Sequence, residues 1–261
     1  MRDEKTALSY WYPKLLATGV PTPETFIVEA GCDLIYLIDG KKPAGYASFV
    51  RRLKEAAAKV GPYPIFLRTG LTSAKHHWKE TCYVPSEAVL ERHVAAIVEF
   101  SENADMMGLP TDEWVLRKFI PMESSFTAFH GDFPVNRERR YFLRSGLVAC
   151  GHPYWPKEAL EDQAPREAEA DDGDIWGGGP CESKLPIDWE ARLEALNRDS
   201  KEDARLLDGY ATKVARAFRG DGYWSCDFAK AADGRWICVD MAEGHRSYHW
   251  AGCKNAEATN E

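Results

Sequence analysis

The stretch YWSCDFAKAADGRWICVDMAEGHRSYHW, residues 223–250, decides how this chain is read. Apolar, strand-favouring residues flank Ala232-Asp233-Gly234, a turn sequence, so the pattern predicts a β-hairpin. Side chains two apart on a strand share a face. Pairing across this turn sets Asp227 opposite Asp240. Facing carboxylates on a sheet repel by up to about 1 kcal/mol, so a hairpin under no other demand avoids them. A divalent cation reverses that sign. Mg²⁺ takes one or two protein carboxylates and fills its shell with phosphate oxygens and water. Asp227 and Asp240 are therefore candidate magnesium ligands; the alternative is a register slipped by one residue, with one acid left in solvent.

Outward from the hairpin, strands and helices mix without regular alternation. Strand patterns fall at 25–28, 34–40, 61–68 and 114–120, and a second hairpin spans 137–155 with its turn at Ser145-Gly146. Helical spacing covers 46–60, 86–104 (capped by Ser86, with Val89, Val94, Ala95 and Val98 as the buried stripe), 188–197 and 201–218. Most neighbouring strands can pair as hairpins. The expected class is α+β with antiparallel sheets rather than a doubly wound parallel sheet. Residues 161–186 are acidic, rich in Gly and Pro, and read as a long mobile loop; the tail from Lys254 reads as frayed.

With 261 residues, 44% hydrophobic and 28% charged, the chain can build a real core. Its net charge of −8 argues against a general binder of nucleic acid or anionic membranes, though a local basic site is allowed. No apolar run approaches the roughly 18 residues of a membrane span, and the N-terminus lacks signal-peptide features. Seven cysteines with no C-x-x-C pair suggest reduced thiols in a cytoplasm and argue against zinc, whose sites normally show short-spaced ligand pairs. Oligomeric state is not legible.

Three further stretches carry candidate chemistry. Arg68 ends a strand and is followed by TGLTSAK, so Arg68 and Lys75 flank a Gly/Ser/Thr loop suited to phosphate. The loop is not a Walker A sequence, and alone it reads equally as a solvated loop. RERRYFLRSG sets Arg140, Phe142 and Arg144 on one strand face, and either a phosphate-facing or an outward charged strand fits. In VLRKFIPMESSF, the backbone of Lys118, Phe119 and Ile120 is placed to read an adenine edge and Glu123 to accept from ribose hydroxyls, a weak signal by spacing alone. No Ser-His-Asp or Cys-His signature is present.

Together these pieces resemble the ATP-grasp superfamily, which includes D-alanine–D-alanine ligase, glutathione synthetase and biotin carboxylase. The family order is a strand-end cation with a mobile loop, an adenine hinge with a downstream acid, an arginine strand, then an acidic hairpin. Here it runs Arg68 to Lys75, Arg117 to Glu123, Glu138 to Arg140, and Asp227 to Asp240, over about residues 60–250. LRTGLTSAKHHW, FIP, the Glu-x-Arg strand and VDMAEGHRS are similar in particular to the phage and bacterial-conflict branch, to which amide-bond formation on peptides is attributed. A more distant likeness is to the eukaryotic cell-division-cycle ATP-grasp chaperone that assembles a translation initiation factor.

The resemblance implies two antiparallel-sheet subdomains clasping Mg·ATP: a short N-terminal α/β subdomain 1–60, a small subdomain 61–120, a large subdomain 121–253 and a tail 254–261. It implies a carboxylate–amine ligase with small-molecule or peptide substrates, working through an acyl phosphate, with Arg68, Lys75 and Arg140 offsetting the moving charge. Arg68, Lys75, Arg117, Lys118, Phe119, Ile120, Glu123 and Arg140 would contact ATP. A kinase acting on a hydroxyl and a chaperone that binds ATP without turnover are the alternatives. The family departs here at Ala242, where it keeps a metal-binding Asn, so a second Mg²⁺ would need Glu243. Residues 161–186 would be a lid, a docking surface or an insertion without a role. Tyr154, Trp155, His245, Arg246 and Ser247 are expected near the substrate.

Overall fold

The computed structural model describes residues 5–104, 108–129, 133–161 and 185–255. The acidic stretch 161–186 and the tail lie almost wholly outside these residues.

The first half builds α1 (Leu8–Ala17), β1 (Thr25–Glu29), α2 (Tyr46–Val60), β2 (Ile65–Thr69), β3 (Tyr83–Val84), α3 (Leu90–Asn103) and β4 (Glu113–Lys118). Its sheet runs β1-β4-β2-β3 with every pair antiparallel. Period two decides what each face meets. Val28, Ile65, Leu67, Trp114 and Leu116 turn to a core closed by α2 and α3, while Phe66, Arg68 and Arg117 turn away from it. Helix α2 supplies Phe49, Val50, Leu53, Ala57 and Val60 at i, i+3/i+4 spacing, with Arg51, Lys54 and Glu55 on its outer side.

The second half begins with a ribbon of β5 (Ser124–Ala128) and β6 (Phe133–Asn136). The larger sheet follows, β7 (Glu138–Arg144), β8 (Leu147–Pro153), β9 (Tyr223–Lys230) and β10 (Trp236–Glu243), in the order β10-β9-β7-β8, again antiparallel. Tyr141, Leu143, Trp224, Cys226, Phe228 and Trp236 pack beneath α1 and α6 (Lys201–Ala217), whose first turn Ser200 caps by accepting from the Asp203 amide at 2.9 Å. A third cluster seats α4 (Glu158–Glu161) and α5 (Trp189–Asn197) against the ribbon.

Two expectations change, and two further arrangements are not assigned from the sequence. Residues 34–37 form a 3₁₀ turn capped by Asp33, not a strand. Ser86 precedes a 3₁₀ turn and makes no side-chain cap; α3 starts at Leu90 and buries His93, Val94, Ile97 and Val98, with Ala95 only half-buried. Residues 8–17 are helical although Pro13 stands inside the helix. Residues 1–60 contribute to both sheets. β1 pairs with β4, α2 packs in the first core, and α1 packs in the second, so this segment is divided between the two sheets. Val115 completes the join: its strand neighbours Trp114 and Leu116 are in the first core, and it is buried in the second.

Candidate functional site

The faces turned away from the two helical cores meet across a cleft of about 320 Å³. Arg68, Ser73, Lys75, Arg117, Lys118, Glu138, Asp227 and Asp240 line its polar part, and Phe66, Trp78, Phe119, Ile120, Met122 and Phe133 its apolar part. The sheets are pinned where the chain crosses between them. Cys238 N donates to Pro21 O at 2.8 Å, Ala232 N to Pro121 O at 2.9 Å and Glu123 N to Lys230 O at 2.7 Å.

The acidic hairpin pairs as read: Asp240 stands opposite Asp227, after a bulge between Cys238 and Asp240. Asp227 faces Arg140 on β7, and Arg140 faces His152 on β8, so one row crosses four strands. Arg140 donates to both Asp227 oxygens at 2.8 Å. Arg68, its side chain only 6% exposed, donates to Asp240 Oδ1 at 2.9 Å, and the Met241 amide adds a bond at 3.1 Å. The facing carboxylates thus each carry an arginine that offsets their repulsion. Burial pushes the Asp240 carboxyl up, but Arg68 and Arg117 more than offset this and hold it below the ordinary value.

Asp227 and Asp240 present hard oxygen donors on one sheet face, and the Asp240 side chain is still 41% exposed. That donor set fits Mg²⁺. Glu243 does not join it. It stands opposite Trp224, one of the core-facing residues of β9, which puts it on the other sheet face, and its carboxylate pairs with His245 at 3.4 Å.

The loop after Arg68 is tied rather than loose. Thr69 Oγ1 accepts from the Leu71 and Thr72 amides at 3.3 and 3.0 Å, and Gly70 N donates to Glu113 O at 2.9 Å. The loop delivers Lys75, which donates to Tyr154 Oη at 2.7 Å and lies over the Tyr154 ring. Burial lowers the Lys75 ammonium, but Tyr154, Glu138 and Asp227 together hold it above its usual value. Glu138 is pushed up to about 7, by burial first and by Asp227; Lys75, an Asn136 hydrogen bond and Arg140 only partly oppose this.

Arg117 is buried and lowered to about 10 by burial and by neighbouring Arg68. It donates to Val239 O and to Thr25 Oγ1, while Nη2 is buried without a partner. Such a donor calls for an acceptor from the cleft. Glu123 is not among the cleft residues; Arg137 Nε takes its carboxylate at 2.7 Å. Lys118, Phe119 and Ile120 do line the cleft, with Phe119 packed on Trp78 and Tyr83. Sequence reasoning did not single out Trp78, Phe66, Phe133 or Asn136. Asn136 and Glu138 two residues apart are a period-two signal; Trp78 reaches the cleft only through tertiary packing.

No family model matches the sequence, and no curated protein matches it. Solved structures do. A biotin carboxylase–β,γ-ATP complex from Campylobacter jejuni is 13% identical, with a TM-score of 0.52 over 97% of this chain and 42% of its own. An Aspergillus clavatus N5-carboxyaminoimidazole synthase, solved with ADP and its aminoimidazole ribonucleotide, is 11% identical, with a TM-score of 0.52 over 97% and 47%. C-terminally truncated Cdc123 from Schizosaccharomyces pombe is 13% identical, with a TM-score of 0.50 over 91% and 83%. The fold is therefore ATP-grasp: α+β, with antiparallel sheets facing across a cleft. The chain spans about half the length of the carboxylase and the synthase.

Proposed function

We propose that the chain is an ATP-dependent carbon–nitrogen ligase that joins a small-molecule or peptide carboxylate to an amine. The observation that carries this reading is the convergence of Asp227, Asp240, Arg68, Lys75 and Arg117 on one cleft that has an aromatic end.

Phe66, Trp78, Phe119 and Ile120 offer flat apolar area for a purine, and Lys118 to Ile120 supply the adjoining backbone. Arg68, Lys75 and Arg117 face the phosphates. Asp227 and Asp240 would hold Mg²⁺, which supplies charge neutralisation at the transferring phosphoryl group. A substrate carboxylate attacks the γ-phosphorus, the bond to ADP breaks, and an acyl phosphate forms. The amine then attacks the acyl carbon and phosphate leaves. Arg68, Lys75 and Arg140 stabilise the charge that moves in the first step. Glu138, poised near 7, takes the proton the amine releases in the second. Glu123 would reach ribose only by leaving Arg137.

Calorimetry with Mg·ATP, followed by ADP release against pools of carboxylic acids and amines, tests this. Nucleotide binding with release that needs both substrates is the expected result. Absence of Mg·ATP binding overturns the reading. A stable phosphorylated hydroxyl product without an amine would make the chain a kinase, and binding with no turnover would make ATP a structural ligand of an assembly chaperone.

A further inference from the structure

A second side-chain cluster lies on the same face of the larger sheet, at its outer edge. Cys150 and His152 are two apart on β8 and share a face. His249 and Cys253 come from the segment that folds back over that strand after β10. One ligand atom from each of the four lies within 4.8 Å of all the others. Cys150 Sγ is 3.1 Å from His249 Nε2, and the two imidazole rings are 5.0 Å apart. Cys150 and Cys253 are both free thiols.

The surroundings are those of a built site. Phe142, paired with Cys150 in register, packs on both imidazoles. His152 Nε2 is buried without a hydrogen-bond partner, and such an orphaned atom asks for an explanation. The returning segment is already fastened beside the cluster: Trp250 Nε1 donates to Pro153 O at 2.7 Å and Asn255 Nδ2 to Ala149 O at 3.1 Å.

We propose that Cys150, His152, His249 and Cys253 form a structural Zn²⁺ site that clamps the returning segment to the outer strand of the larger sheet. Two thiolates and two imidazoles complete a tetrahedral shell, with no position left for substrate, which is the mark of a structural rather than a catalytic zinc. The set holds no oxygen donor, so it does not suit Mg²⁺ or Ca²⁺. Ligand bonds of about 2.0–2.3 Å require only a small contraction of the cluster. The clamp covers edge strand β8 and fixes His152, the neighbour of Arg140 in the row that ends at Asp240. Short-spacing rules miss it because the ligands come as C-x-H on a strand and H-x-x-x-C on a distant segment.

The test uses the full chain, without a histidine tag, purified under reducing conditions. Elemental analysis is expected to find about one zinc per chain. Chelator-stripped protein titrated with Co²⁺ should give thiolate charge-transfer and intense tetrahedral d–d bands, reversed by zinc. Cys150→Ser and Cys253→Ser should each lose the metal at a chelator concentration that leaves Cys32→Ser loaded. Should those variants fail to fold, the cobalt spectrum of the wild type decides alone. Absence of copurifying zinc together with no tetrahedral cobalt spectrum overturns the proposal, as does a Cys150–Cys253 disulfide that leaves reduced protein unable to take up either metal.

Discussion

Arg140 grips Asp227 through two parallel hydrogen bonds, Nε to Oδ1 and Nη2 to Oδ2, each 2.8 Å long. The Tyr154 ring covers the guanidinium at 4.5 Å. Both groups are largely buried, so neither can turn to water if the other is lost. Arg140→Met should cost about 3–5 kcal/mol in urea unfolding, the range for one partner stranded in a buried pair. Arg140→Lys should recover only part of this, since an ammonium does not reproduce the planar fork. Equal stability of Met and Lys variants would show that the fork carries no weight.

Asp240 sits one strand away in a more open setting. Asp240→Asn should therefore change folding stability by about 1 kcal/mol or less. The same substitution should weaken Mg-dependent nucleotide binding by at least about tenfold, because a metal-facing charge is lost. Calorimetry with and without Mg²⁺ checks both parts; a variant that keeps full Mg·ATP affinity would remove Asp240 from the metal set.

Glu138 sets a pH dependence. Its folded-state carboxyl is raised from 4.5 to about 7, so between these values the folded chain binds more protons than the unfolded one. Its contribution to stability is thus present below the unfolded value and is lost as pH rises through about 7, amounting to roughly 3 kcal/mol. Glu138→Gln should flatten the stability profile across this window. A slope unchanged in the variant would assign the titration elsewhere.

Gly244 begins the segment that leads to His249. A Cβ there would overlap the Tyr223 ring, which is itself stacked on Phe142. Gly244→Ala should lower stability by about 1–3 kcal/mol through overpacking. Pairing it with Tyr223→Leu should return part of the loss in thermal melts; no recovery would show that the Tyr223 ring is not the obstacle.

Local patterns made much of the fold legible. The turn at Asp233-Gly234 makes the hairpin legible; the Asp227–Asp240 pairing also holds, but through the bulge after Cys238, without which Asp227 would face Val239, and no local pattern announces that bulge. Arg68, Lys75 and Arg117 to Ile120 reach one cleft because strand ends and their loops are set by the same periodicity. Glu123 and Glu243 do not: Arg137 captures the first, which no spacing reveals, while the second stands three residues past Asp240, so strand alternation already turns it to the other face. Trp78 and Arg117 Nη2 belong to the same class, since their surroundings come from elements far apart in the chain. Which core α1 and α2 each join is decided by packing, not by the helix's own stripe, so their separate placement is not legible locally.

The cleft also inverts the electrostatics of the whole chain. Among the described residues, four cations line it, Arg68, Lys75, Arg117 and Lys118, against three acids, Glu138, Asp227 and Asp240, while the chain carries −8 overall. On the proposed reading, a polyphosphate would be repelled at long range and attracted only within the mouth. Salt at 0.15 M screens beyond about 8 Å, so it quiets the outer repulsion before it weakens the inner grip. Capture of an anionic ligand is therefore governed by the last few ångströms of approach rather than by steering from a distance.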